Sequence, residues 1–194
     1  MSVLSMQDDE ELSENHQEIV DESWGIEMMT LGRVHNDIMD ELQEIDEIRS
    51  EIIEDHSDAD IKEIDKKVEN LISIETSDSV VLFFTLAHEV LRGLSGDIIW
   101  QKVFDDDISK DNAREYARNI DSEDQENILY YMGIIDSGEK GEIANVRKTR
   151  NKLVHDMRSR QYLDGIGNIE SRVRRAVKTV DKMHVEAHNL SLLD

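Results

Sequence analysis

The segment Arg150-Asn151-Lys152-Leu153-Val154-His155 sets an arginine and a histidine five residues apart, with an asparagine beside the arginine, inside a helical pattern. Arginine is a fixed cation whose planar fork of donors matches phosphate. Histidine gives or takes a proton near neutral pH. Together they supply much of what metal-free RNA cleavage needs, namely stabilisation of developing phosphate charge and general acid–base catalysis. Arg150, Asn151 and His155 are therefore the candidate catalytic residues. Arg147, Lys148, Lys152 and Arg158 are the cations placed to meet RNA phosphates.

The helix bearing them has an apolar stripe of Ile143, Val146, Leu153 and Met157, with Arg150 in its one gap. An unpaired charge is costly to bury, so Arg150 must meet an acid, a phosphate or a second subunit. Arg147, Asn151, His155 and Arg158 form an adjoining polar ridge. Five residues of helix separate Arg150 from His155 by about 140°, so one copy cannot easily converge both on one phosphate. Two copies across a dimer axis could. In the competing structural reading, both residues cap the helix and pair with acids.

Other candidates carry less. His184 and His188 have the i, i+4 spacing of metal ligands, but Glu186 is misplaced for the zinc-protease pattern and no third ligand is evident. They are read as surface histidines, and no metal or cofactor is expected. His88 and Glu89 are expected to join a buried network with Arg92 or Arg150. Arg172, Arg174, Arg175, Lys178 and Lys182 give the last helix a basic side, for RNA phosphates or for an acidic helix of the same chain. Aromatic content of 5% argues against recognition by base stacking. There is no phosphate-cradling glycine loop.

The elements that must position these residues all have the helical period. Trp24, Leu31, Ile38, Ile45 and Ile52 fall seven apart, with Met28, Val34, Leu42 and Ile48 on the same side, which predicts a long helix of coiled-coil character. After a break at 55–60, Ile61, Ile64, Val68 and Leu71 predict a second helix, and the two form an antiparallel hairpin. A central helix is expected over 78–104, apolar nearly all round its first half, then a short one over 110–119. Ser122 with Gln125 suggests a capping box for the next, which carries Ile128, Leu129, Met132 and Ile135. Ser137-Gly138 and Gly141 are expected to break it, starting the motif helix near Glu142 and running it to Met157. A last helix over 168–189 carries Ile169, Val173, Val177, Val180 and Ala187. No run alternates long enough for a strand. The fold class is all-α: an acidic, disordered 1–14, a helical hairpin over 15–75 and a bundle over 76–190. The expected core includes Val81, Leu82, Phe84, Leu86, Leu91, Ile128, Met132, Val146, Leu153, Val173 and Val177.

With 194 residues and 38% hydrophobic content, the chain can bury a substantial core. Proline and cysteine are absent, which excludes disulfides and thiolate metal sites. No apolar run approaches the roughly 18 residues of a membrane span, and residues 1–13 lack the order of a signal peptide, so a cytoplasmic protein is expected. Net charge is −23, and only 10 of the 22 basic residues are lysine, a composition that resembles halophilic proteins. Residues 140–182 nevertheless carry a net +7 against −28 for residues 1–139, which hints at an anionic partner for the basic part.

The motif resembles the signature of the HEPN superfamily, all-α proteins that include RNA-cleaving toxins and defence nucleases. Residues 129–136, a short polar linker and residues 143–156 are similar to its mannitol-repressor-like and related branches. The likeness spans 78–189 in architecture and 129–156 in motif. It implies an HEPN-type bundle and a metal-independent endoribonuclease with its site shared between two protomers. Arg150 would stabilise phosphate charge, His155 would act as general acid or base, and Asn151 would orient either. A homodimer, RNA and, for a toxin, an antitoxin protein are the implied partners. Met157 departs from the branch that has a tyrosine there. Two other readings compete: a non-catalytic regulatory or interaction module, and a scaffold working through the N-terminal hairpin.

Overall fold

The computed structural model describes residues 25–55, 74–104, 110–155, 166–189 and 191, and among them it is all-helical, with no strand. Among the described residues, six helices follow in order: α1 (Gly25–Asp55), α2 (Ile74–Val103), α3 (Lys110–Asn119), α4 (Ser122–Tyr131), α5 (Ser137–His155) and α6 (Ile166–His188). None is long and apolar enough to cross a membrane.

Helix α2 is the axis of the bundle and packs against all five others. Its sequence explains this, although burial on all sides falls in its second half, over residues 93–99, rather than the first. Gly93, Ser95 and Gly96 are small residues buried there. A methyl group on Gly96 would meet Arg118 Cγ at 2.9 Å and its Cα at 3.1 Å, so only glycine permits this approach of α3. Next to it, the carboxylate of Asp97, 1% exposed, accepts from both Arg114 and Arg118 at 3.0–3.2 Å. Burial raises the Asp97 pKa, but the two guanidinium groups outweigh it and hold the group below its ordinary value.

In α1 the heptad residues Leu31, Ile38 and Ile45 are buried with Met28, Val34 and Leu42, while Ile48 and Ile52 are half-buried. The stripe is covered by α2, with α6 at its flank. Trp24, the second hairpin arm over 61–71 and the N-terminal 1–14 lie outside the described residues. The α6 stripe of Ile169, Val173, Val177, Val180 and Ala187 is buried throughout.

Several local expectations are corrected. Leu82 and Met132, expected in the core, are 47% and 45% exposed: Leu82 lies on the solvent side of α2, and Met132 is the C-cap of α4. Helix α4 is capped by Asp121, whose Oδ1 accepts from the Glu123 amide at 2.9 Å, not by Ser122. Ser122 sits one residue inside the helix, and Gln125 instead donates to the Ala117 carbonyl at 2.8 Å. Helix α4 ends at Gly133, whose positive φ of 70° lets Gly133 and Ile134 donate to the carbonyls of Tyr130 and Leu129. Helix α5 starts at Ser137, five residues earlier than expected, with Gly138 and Gly141 inside it. Asp136 and Glu139 form a reciprocal capping box, each side chain accepting from the other's amide at 2.8 Å. A cap contributes about 1 kcal/mol, which offsets a penalty of similar size for an internal glycine.

Candidate functional site

Helix α5 presents three faces. Ile143, Val146 and Leu153 are buried toward α2. Arg150 occupies the gap in this stripe. It is only half-buried, its Nη1 donates to Asn151 Oδ1 at 3.1 Å, and its buried Nε makes no hydrogen bond. Among the described residues no ion pair to a carboxylate is formed by Arg150, in a chain with 45 acidic residues.

The outward face carries Lys148, Asn151, Lys152 and His155, all exposed. His155 is the last residue of α5. Within one chain Arg150 and Asn151 come together, and Asn151 shares the open face with His155, but Arg150 and His155 point apart. Arg158 and Met157 lie outside the described residues.

Arg147 occupies a different environment from the other cations. It makes a bidentate pair with Glu126 at 2.8 and 3.1 Å and reaches Glu123 at 3.1 Å. Glu126 is 2% exposed. The carboxylates, Glu126 first, raise the Arg147 pKa above its ordinary value, against burial. Its charge is committed to joining α4 and α5, whereas Lys148 lies exposed on the outward face with His155.

On the buried side of Arg150 lies His88 of α2. Its Nδ1 is 3.3 Å from Glu89 Oε1 and its Nε2 is 3.3 Å from Ser122 Oγ. Glu89 also receives Arg92 at 3.8 Å, and Arg92 donates to the Arg118 carbonyl at 3.2 Å. Burial pushes the His88 pKa below its ordinary value of 6.5; Glu89 opposes this, while Arg150 and Arg92 reinforce it. The neutral ring can donate from Nδ1 to Glu89 and accept the Ser122 hydroxyl at Nε2. Of the two partners expected from the sequence, Arg92 pairs with Glu89, whereas Arg150 makes no ion pair with it. Sequence reasoning missed Ser122, which is 34 residues away and carries no local signal.

The pair His184 and His188 does not lie on the surface as expected. His184 is 2% exposed and stacks near His188 at 4.9 Å between ring centroids. Among the described residues no group of three potential metal ligands is brought together. Of the basic side of α6, Arg174 pairs with Glu170 at 2.8 Å and Lys182 with Glu139 at 3.2 Å, whereas Arg172 and Arg175 bond to Asn168 and the Ser171 carbonyl.

The chain matches no protein-family model, no curated protein and no solved structure at a significant level.

Proposed function

We propose that this chain is an HEPN-like, metal-independent endoribonuclease that works as a symmetric homodimer through Arg150, Asn151 and His155. The observation that carries this reading is Arg150. It occupies a core-facing position of α5, keeps a buried Nε without a partner, and makes no ion pair with a described carboxylate in a strongly acidic chain. Such a cation calls for an external anion. The open face bearing His155, Lys148 and Lys152 supplies an acid–base group and phosphate contacts next to it.

In the reaction, the ribose 2′-oxygen attacks the adjacent phosphorus while His155 takes its proton. The bond from phosphorus to the 5′-oxygen breaks, and the leaving oxygen receives a proton from the partner's His155. The products are a 2′,3′-cyclic phosphate and a free 5′-hydroxyl. Arg150 steadies the charge on the non-bridging oxygens and Asn151 orients its guanidinium through the 3.1 Å hydrogen bond. The divergence of about 140° within one helix supports a site completed by a second copy.

The test incubates mixed-sequence RNA and DNA with the protein in EDTA at molar salt. RNA should be cut and DNA left intact. His155→Ala should lose about 10²–10⁴ in rate while remaining folded. Wild type that cuts nothing, or His155→Ala that cuts as well as wild type, overturns the proposal. Light scattering should give a dimer.

A second reading, a non-catalytic regulatory module, is favoured by one feature. Tyr130, Tyr131 and Met132 are 39%, 81% and 45% exposed at the turn between α4 and α5, an apolar cluster suited to a protein partner. In that case the RNA assay is negative and Tyr131→Ser abolishes partner binding.

A further inference from the structure

Between α5 and α6, away from the face that bears His155, lies a cleft of about 210 Å³. Its wall is polar: Asn145 and Thr149 from α5, Asn168, Arg172 and Arg175 from α6, with Glu142 at one edge. Phe84 of α2 closes the floor. Arg172 spends its Nε on Asn168 Oδ1 at 3.0 Å, and Arg175 its Nε on the Ser171 carbonyl at 3.3 Å. These bonds fix both guanidinium groups along α6 and leave their terminal nitrogens for a ligand. Neither arginine forms an ion pair with a described carboxylate, although Arg174, between them in sequence, does so with Glu170.

Two guanidinium groups that line one concave site, each with its Nε already bonded, offer the donor set of a phosphate-binding pocket. The flanking amides and hydroxyl of Asn145, Asn168 and Thr149 add neutral donors and acceptors for the rest of a polar ligand. The volume is several times that of a water molecule, about 30 Å³ each, so a bare phosphate would not fill it. It lies below the roughly 300–1,000 Å³ of sites for drug-sized ligands. Glu142 disfavours a highly charged polyphosphate by like-charge repulsion and accepts hydrogen bonds from hydroxyl groups. From these features we infer that the α5–α6 cleft binds a small phosphomonoester, a mononucleotide or sugar phosphate, with Arg172 and Arg175 on the phosphate and Glu142 and the amides on the hydroxylated body.

This site is independent of the proposed nuclease residues and is read by binding, not activity. Isothermal titration calorimetry on the full chain would use AMP, ribose 5-phosphate and adenosine as probes, at low and at molar salt. The two phosphomonoesters should bind saturably with one site per chain, and adenosine should not. Arg175→Gln and Arg172→Gln should each weaken binding about 10- to 100-fold, as expected for loss of a charged hydrogen bond. Arg174→Gln, on the same helix but outside the cleft, should change it less than twofold. Glu142→Gln should preserve ribose 5-phosphate binding and admit inorganic pyrophosphate, which wild type should exclude. Because Arg175 is exposed, its variant keeps the test valid if Arg172→Gln fails to fold. No saturable binding of either phosphomonoester, equal binding of adenosine, or a loss in Arg174→Gln matching that in Arg175→Gln overturns the inference.

Discussion

Arg147 of α5 grips the buried carboxylate of Glu126 in α4 with two hydrogen bonds, 2.8 and 3.1 Å long, across 21 residues of sequence. This ion pair fixes the helix that carries Arg150 and His155 against its neighbour, so the orientation of the candidate site depends on it.

Arg147→Ala should accordingly behave as a stability variant. It strands a carboxylate that is 2% exposed, a loss expected to cost about 3–5 kcal/mol. Replacing both partners, as in Arg147→Met with Glu126→Leu, should restore much of it. Denaturant melts at constant salt measure both, and a cost below about 1 kcal/mol for Arg147→Ala would contradict the assigned role.

The Asp97 cluster predicts a pH dependence of opposite origin to that of His88. The folded pKa of Asp97 lies below the ordinary 3.8, so its contribution is complete above that value and is lost as pH falls through the folded pKa. Asp97→Asn should cost roughly 1.5–3 kcal/mol at neutral pH, with the gap to wild type closing only below pH 3.8. A gap that already closes between pH 6 and 5, roughly one unit or more above ordinary carboxylate titration, would contradict this.

For His88 the depressed folded pKa means that the unfolded chain binds the proton first. Its contribution is complete above 6.5 and declines as pH falls below it, because protonation buries a charge and, against the pull of Glu89, adds it beside the cations Arg150 and Arg92. Wild type should therefore lose stability relative to His88→Gln on acidification from pH 7. Nuclear magnetic resonance titration should find the His88 ring titrating below 6.5. A midpoint above that value would refute the assignment.

Two glycines separate packing from propensity. Gly96→Ala drives a methyl group to within 2.9 Å of Arg118 Cγ and 3.1 Å of its backbone Cα, and should cost about 1–3 kcal/mol. Gly141→Ala adds a methyl group in open space on the exposed side of α5 and should stabilise by about 0.4–1 kcal/mol. Thermal melts of the two variants should shift in opposite directions.

Much of this architecture is legible in the chain itself. Periodicity specified the helices and the stripes of α1 and α6, because an amphipathic helix has one low-energy way to bury its apolar face. The gap at Arg150 and its angle to His155 are also local, since helix geometry alone sets them. The Asp136-x-x-Glu139 pattern is also local, and this cap starts α5 at Ser137, ahead of the glycines expected to delay it to Glu142. Only the tertiary structure decided which cations stay available. Arg147 and Arg150 are three residues apart on one helix, yet one is locked to Glu126 and the other keeps a buried nitrogen without a partner. The same holds for the meeting of His88 with Ser122, the shelter of Asp97 beneath α3, and the cleft between α5 and α6. Each is a contact between groups distant in sequence, set by how the helices pack around α2, and no local pattern encodes which charge will find which partner.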